Sequence, residues 1–114
     1  MMWRGLSLAL VFLGLGLVCH ATAADVTVSP NVANGQKLFH RHCTGCHGPT
    51  GKGDGYALLG PTPADLTAPA MAGTSDADLL ATLHRGRPNM PPWNKRLSEQ
   101  QRRDVIAYVR TLAQ

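Results

Sequence analysis

The clearest pattern of apolar positions lies near the C-terminus and predicts an amphipathic helix. Ser98 precedes Gln101 by three residues, which is the spacing of a capping box that starts a helix. Apolar side chains then recur at the i, i+3, i+4 and i+7 positions of one helical face, namely Val105, Tyr108, Val109 and Leu112. A single buried face of this kind is typical of a helix that packs on a core.

Two further helices are predicted earlier in the chain. Asn31 is a candidate N-cap for a helix that runs into the early forties. That helix places Leu38, Phe39, His42, Cys43 and Cys46 on one side. Thr74 or Ser75 would cap the second helix, and Gly86 would end it. Because no strand pattern and no repeat is visible, the chain is predicted to be all-α.

Two irregular loops separate these helices. Residues 48–69 contain nine glycines or prolines among 22 positions, a density that excludes regular structure. Residues 87–95 form a second loop, which Pro88, Pro91 and Pro92 stiffen. A structureless segment as long as the first is unusual in a small domain, so we expect it to wrap around something.

The N-terminus has the three parts of a secretory signal peptide. Arg4 is followed by an uncharged run at residues 6–19 and then by Ala21, Thr22 and Ala23. This predicts a signal over residues 1–23, a tether at 24–31 and a domain at 32–114. An uncleaved anchor is the alternative, although the run is shorter than the roughly 20 residues that a spanning helix needs. A lipoprotein site at Cys19 is less favoured, because Val18 before it is bulky.

Composition narrows the class of protein further. The chain has 114 residues, 16% charged residues, 5% aromatic residues and a net charge of +4. These values exclude a multi-domain enzyme, a coiled coil and a long polyelectrolyte. Three cysteines are too few for a disulfide scaffold. Since the mature domain is small and poor in large side chains, we expect another group to help fill its core.

Residues 43–47, Cys-Thr-Gly-Cys-His, carry the chemistry. Two thiols at this spacing followed directly by histidine are typical of covalent haem c attachment, and the export signal agrees with it. The residues also leave a thioredoxin-like redox pair, a structural disulfide and a zinc site with His42 or His84 open as less favoured alternatives. The redox pair lacks the βαβ context that it needs.

An electron-carrying haem iron needs a second axial ligand from the protein. Met90 is the favoured candidate, because the prolines around it would hold its sulfur in a stiff strap. A thioether ligand stabilises Fe(II) and raises the reduction potential. Met71 lies among small residues with little to hold it rigid, and is more simply a gap-filling side chain. His84 or His42 could also supply the ligand, through an imidazole nitrogen.

These motifs resemble those of the small monohaem class I c-type cytochromes of bacteria. The matching pieces are N-G-Q-K-L-F at 34–39, C-T-G-C-H-G at 43–48, G-K-G-D-G at 51–55, P-A-D-L-T at 63–67, M-P at 90–91 and V-I-A-Y-V at 105–109. The resemblance covers residues 32–114. It implies an all-α class I cytochrome c fold, in which three main helices and long Gly/Pro-rich loops wrap around one covalent haem.

The resemblance also assigns roles to individual residues. It implies thioether bonds from Cys43 and Cys46, with His47 as the proximal and Met90 as the distal iron ligand. It implies that Gly35 and Phe39 of the first helix pack against Tyr108 of the last. It also suggests that the carbonyl of Pro61, or alternatively of Pro63, accepts a hydrogen bond from the ring N–H of His47.

We therefore expect an exported, monomeric one-electron carrier in the periplasm that shuttles electrons between respiratory protein partners. The partners would be redox proteins that bind transiently, with no nucleic acid, no stable membrane span after signal cleavage and no enzymatic activity. The alternative is a haem-based sensor or peroxidase-like protein with a labile distal ligand. Candidate residues for steering an acidic partner are Lys37, Lys52, Arg85, Arg87, Lys95, Arg96, Arg102 and Arg103.

Overall fold

The computed structural model describes residues 28–57 and 60–113, which form five helices. They are α1 (Val32–His42), α2 (Thr44–His47), α3 (Ala70–Gly73), α4 (Asp76–Arg85) and α5 (Glu99–Leu112). This described part contains no strand, and an isolated antiparallel bridge joins Arg87 to Met90. The three longer helices, α1, α4 and α5, are those that the sequence predicts. The predicted signal over residues 1–23 lies outside the described residues.

The predicted caps set the helix ends. The side chains of Asn31 and Ser75 each accept a hydrogen bond from the backbone N–H three residues later. Ser98 and Gln101 form the predicted capping box, with both reciprocal bonds present. Gly86 ends α4 with a φ of +70°, a conformation that favours glycine. Local sequence therefore determines where the long helices begin and where α4 ends.

Helices α1 and α5 cross at very short range. A Cβ at Gly35 would collide with the backbone carbonyl of Asp104 and lie 3.1 Å from the Cβ of Tyr108. One turn further along α1, the ring of Phe39 packs on that of Tyr108 with centroids 5.3 Å apart. This confirms the predicted packing of Gly35 and Phe39 against Tyr108. Glycine is needed at the crossing because any side chain would separate the helices.

The hydrophobic core lies where α1, α4 and α5 meet. Phe39 is its most buried large side chain, with 1% exposed. The other buried members are Leu38, Met71, Leu83, Trp93, Leu97, Val105, Ile106, Tyr108 and Val109. Cys43 and Met90 are partly buried and pack against this core. The core therefore borders two of the predicted site residues.

Helix α3 is held in place from α5 by Arg110. The guanidinium donates to the carbonyls of Met71 and Thr74, and it pairs with the carboxylate of Asp76 at 2.7 Å. Met71 lies inside α3 and is buried, so the expectation that little would hold it rigid is wrong. The reason is long range, since Arg110 lies 39 residues further along the chain.

Asp104 fastens α5 to the start of α1. Its carboxylate accepts from the backbone N–H of Asn31 at 2.8 Å, from the side chain of Asn34 at 2.7 Å and from Gln100 at 3.0 Å. Burial raises the pKa of Asp104, but these hydrogen bonds lower it by more, so the net shift is downward. The buried carboxylate is therefore held in its charged form.

Replacing this carboxylate should weaken the fold in a pH-dependent way. We expect Asp104→Asn in the haem-loaded protein to cost about 1.5–3 kcal/mol of unfolding free energy at pH 7, because hydrogen bonds to a charged acceptor are lost. A lowered folded-state pKa contributes stability above the unfolded pKa of about 3.9. That stability disappears as the pH falls through the folded-state pKa. The difference in unfolding free energy between the variant and the wild type should thus become smaller as the pH is lowered.

Urea unfolding at neutral and acid pH measures this gap. Asp54→Asn, at an exposed aspartate in the loop after α2, is the control and should change stability little. Equal losses in the two variants, or a gap that does not depend on pH, would contradict the role given to Asp104.

Candidate haem attachment site

The attachment segment forms a separate short helix that follows α1. Helix α1 ends at His42, and Cys43 is both its C-cap and the N-cap of α2. The N–H of His47 donates to the carbonyl of Cys43 at 2.9 Å, which closes one helical turn. Cys43 and Cys46 are three residues apart on this turn, a spacing at which side chains of a helix are neighbours. The sequence analysis placed Cys46 on the same helical face as Leu38, and it did not predict that the first helix ends at His42.

A glycine-rich loop closes onto the backbone of α2. Three N–H groups at alternate positions of the loop donate to three successive carbonyls of the attachment segment. The pairs are Gly53 to His47 at 2.8 Å, Gly55 to Cys46 at 3.0 Å and Ala57 to Gly45 at 2.7 Å. A Cβ at Gly55 would lie 2.6 Å from the carbonyl of Cys46. The glycines thus allow a close backbone approach that holds the attachment segment in shape.

The ring of His47 is oriented by a backbone carbonyl. Its Nδ1 lies 3.3 Å from the carbonyl oxygen of Ala64, which can only accept, so Nδ1 carries the hydrogen. Burial lowers the pKa of His47, while the bond to Ala64 opposes that shift. The neutral imidazole with a free Nε2 is therefore favoured. That is the form that binds iron.

The prediction that the carbonyl of Pro61 or Pro63 accepts the hydrogen bond from the His47 ring is wrong. The N–H of Leu66 donates to the carbonyl of Gly51 at 2.7 Å, which draws residues 63–66 across the end of α2. The carbonyl of Pro63 faces Gly53, where a Cβ would lie only 2.6 Å from it. Ala64 then presents its carbonyl to the ring. An alanine carbonyl has no side-chain signal, so sequence reasoning could not identify it.

The thiols of Cys43 and Cys46 are not joined in a disulfide, and Cys43 is poorly suited to redox exchange. Burial, with a smaller contribution from Cys46, raises the pKa of the Cys43 thiol to about 12. Attacking thiols in disulfide exchange need a lowered pKa, so the thioredoxin-like alternative has no support. Within residues 28–57 and 60–113, no group of three His, Cys, Asp or Glu side chains could hold a metal ion. The zinc alternative therefore gains no support from the described part.

Met90 sits in a tightly bonded turn. The N–H of Arg87 donates to the carbonyl of Met90 at 2.8 Å, and the N–H of Met90 donates back at 2.9 Å. A Cβ at Gly86 would lie 2.7 Å from the nitrogen of Pro92, so glycine is needed there too. Beyond the prolines, the N–H of Trp93 donates to a carbonyl of α4 at 2.8 Å. The stiff strap predicted from the prolines is therefore present, and hydrogen bonds reinforce it.

Cys46 and Met90 line the same open cleft, which has a volume of about 440 Å³. Arg87 is the charged residue in this lining. The other lining residues are Ala57, Gly60, Pro61, Pro63, Pro88, Asn89, Pro91 and Pro92. The structure thus brings a thiol of the attachment segment and the predicted distal ligand to one largely apolar cavity.

The residues present fit a covalently attached haem. Two thiols lie one helical turn apart, an imidazole has its Nε2 free, and a thioether lies on a fixed turn. Small and proline side chains line the cleft, which suits the apolar faces of the macrocycle. The cleft lining includes Cys46 and Met90 but not Cys43 or His47. The candidate residues for holding the haem remain these four.

Comparisons with known proteins identify similar chains. The family model described as cytochrome c matches residues 32–113. A cytochrome c6 of a Synechococcus strain is 33% identical over 105 residues, covering 91% of this chain and 85% of the relative. The cytochrome c subunit of the cytochrome bc1 complex of Mycobacterium tuberculosis is 33% identical over 81 residues. That match covers 70% of this chain but 27% of the relative, so this chain spans about a quarter of that protein.

A solved structure shows the same arrangement of helices. The protein described as the KustC0563 c-type cytochrome superposes with a TM-score of 0.63 and 26% sequence identity. The superposition covers 70% of this chain and 98% of that one. Almost all of the known structure therefore has a counterpart here.

Adding a methyl group where the loop meets α2 should loosen the site. Gly55→Ala in the haem-loaded protein is expected to cost about 2 kcal/mol or more, because a Cβ there would meet backbone. For a domain of this size that corresponds to a fall of roughly 8 °C or more in Tm. Gly73→Ala is the matched control, since its Cβ would meet nothing within 4 Å. Equal Tm values for the two variants would contradict the close backbone approach at Gly55.

Proposed function

Because the chain belongs to the cytochrome c family, we propose that it is an exported one-electron carrier that shuttles electrons between respiratory protein partners. Its all-α architecture with three main helices is the cytochrome c fold, as the sequence predicted. Its cofactor is covalently bound haem c, and the domain is an electron-carrying one. The iron ligands, the export of the chain and its protein partners are parts of the proposal.

Four side chains would bind the haem. Cys43 and Cys46 would attach the haem through thioether bonds, and His47 and Met90 would be the ligands of its iron. The haem iron supplies a one-electron couple between Fe(II) and Fe(III). His47 is held by Ala64 in the tautomer that leaves Nε2 free. Met90 offers a soft sulfur that favours Fe(II), so we expect a raised potential.

The observation that carries this assignment is the cleft that Cys46 and Met90 share. Met71, the competing methionine, is fixed in α3 as a buried member of the core. His84 lies in the lining of a second cleft, and His42 packs its ring against Trp93 with centroids 5.4 Å apart. Among these candidates, Met90 is the one that lines the cleft together with a thiol of the attachment segment.

Two axial protein ligands would leave no open position on the iron. We therefore propose a carrier without enzymatic activity, rather than a sensor or a peroxidase-like protein. A carrier needs only brief contacts, so its partners would bind through small interfaces, under about 1,200 Å². A monomer suits this role. One relative is a subunit of a cytochrome bc1 complex, which supports an electron-transfer complex of that kind as a partner.

The proposed location is the periplasm. The support is the signal pattern over residues 1–23, which the structure does not describe. None of the helices in the described residues is long and apolar enough to cross a membrane. Haem attachment through Cys43 and Cys46 agrees with export, because the sequence places the motif after a signal.

Volume-conserving substitutions at the two methionines test the distal ligand. Met90→Leu should lower the reduction potential by on the order of 100 mV or more, since axial ligands set haem potentials over about 0.8 V. The reduced variant should also bind carbon monoxide. Met71→Leu is the matched control and should leave the potential nearly unchanged, because it swaps one buried apolar side chain for another.

Redox titration monitored by visible spectra gives both potentials. A wild-type potential in Met90→Leu, or a large fall in Met71→Leu, would show that Met90 is not the ligand. Haem that stains on a denaturing gel in both variants confirms that attachment is intact, so that a changed potential reports the axial ligand.

A further inference from the structure

Trp93 follows the Met90 turn and connects it to the three long helices. It lies three residues after Met90, with Pro91 and Pro92 between them. Its side chain is buried, with 7% exposed, and it belongs to the hydrophobic core. Large buried aromatic side chains dominate the packing energy of a core. The contacts of Trp93 therefore fix the end of the Met90 turn relative to the helices.

The backbone of Trp93 is hydrogen-bonded through both of its polar groups. Its N–H donates to the carbonyl of Leu83 in α4 at 2.8 Å, and its carbonyl accepts from Arg96 at 3.1 Å and from Leu97 at 2.9 Å. Because the two prolines before it have no N–H, Trp93 carries the first backbone donor after Met90. Its bond to α4 is therefore the first backbone donation that fastens the chain beyond Met90 to a helix.

Arg102 of α5 holds the turn that follows Trp93. Its guanidinium is buried, with the residue 5% exposed, and it donates to the carbonyl of Leu97 at 2.6 Å. Hydrogen bonds from a charged donor are stronger than those between neutral groups. Burial also removes Arg102 from the basic residues that the sequence offered for steering a partner. Its role in the structure is to tie the segment after Trp93 to α5.

The indole ring of Trp93 contacts two further side chains. The ring of His42, the last residue of α1, lies with its centroid 5.4 Å away, and the guanidinium of Arg96 lies 5.6 Å from the indole centroid. His42 directly precedes Cys43, the first residue of the attachment motif. The Trp93 ring thus contacts the end of α1 from the segment that carries Met90.

The backbone and the ring of Trp93 hold the Met90 turn against different elements. Before the turn, the N–H of Gly86 donates to the carbonyl of Thr82 in α4 at 2.8 Å. After the turn, the N–H of Trp93 donates to α4 again. These bonds place the turn relative to α4. The contact between Trp93 and His42 places it relative to α1 and the attachment segment.

We propose that Trp93 is a positioning residue for the distal ligand. Its ring keeps the Met90 turn close to the attachment segment, and it thereby sets how rarely the Met90 sulfur leaves the iron. The inference rests on the proposed function, in which Met90 is that ligand. Movement of the turn away from the attachment segment would break the contact between Trp93 and His42. Weakening this contact therefore raises the population of the form in which the sulfur has left.

Binding of imidazole to the oxidised, haem-loaded protein measures the population of this open form. Imidazole reaches the iron only after the Met90 sulfur has left, so its apparent affinity rises in proportion to the open fraction. The test variants are Trp93→Phe, which keeps a smaller aromatic ring, and His42→Ala, which removes the contact from the side of α1. Ile106→Ala, at a buried core position of α5, is the control for a general loss of stability. Urea unfolding measures that loss in each variant.

Trp93→Phe should bind imidazole about tenfold more tightly than wild type, and His42→Ala about threefold more tightly. Ile106→Ala should change the affinity less than about twofold, although it removes more of the core than His42→Ala does. Wild-type affinity in both test variants would overturn the proposal. A gain in Ile106→Ala that matches the test variants would show a general effect of stability and overturn it as well. A gain in Trp93→Phe without one in His42→Ala would also overturn it, because the contact between the rings would then have no effect.

The long-wavelength charge-transfer band that a sulfur ligand gives to ferric haem separates this inference from the proposed function. Wild type should show the band, and it should weaken in the two test variants in the order of their imidazole affinities. A wild-type protein without the band would refute Met90 as the ligand, and the inference would fail with it. A wild-type band that stays at full strength in both test variants would refute the role of Trp93 alone.

Discussion

The close crossing of α1 and α5 at Gly35 is the contact on which the rest of the structure depends. It lets Phe39 and Tyr108 pack ring against ring, and it brings Asp104 to the first turn of α1. Helix α1 leads directly into the attachment segment, so its placement determines where the two thiols stand. A larger residue at Gly35 would separate the helices and move the attachment segment with them.

The two halves of the site are held by different physical means. Beside the attachment segment, glycines allow a loop backbone to lie against α2 and to bond three successive carbonyls. At the predicted distal ligand, Met90 lies in a short hydrogen-bonded turn between Gly86 and a pair of prolines. Glycine permits close approach in the first case, and proline limits backbone freedom in the second.

Most features set by neighbouring residues were predictable from the sequence, apart from the break after His42. Features set by distant residues were not. The caps at Asn31, Ser75 and Ser98, the stop at Gly86 and the attachment motif are local patterns, and all are present. The acceptor for His47 and the lack of anything to hold Met71 were predicted wrongly. The first depends on a bond from Leu66 to Gly51, and the second on Arg110 reaching back to α3. Family resemblance supplied the α1–α5 crossing, which no local pattern shows.

Addition of carbon monoxide to the reduced, haem-loaded protein tests the central claim most directly. If His47 and Met90 occupy both axial positions, the iron is closed and the visible spectrum keeps sharp low-spin c-type bands unchanged by the gas. A shifted Soret band would contradict the account. The distal position would then be open or labile, and the chain would be a sensor or a peroxidase-like protein rather than a carrier.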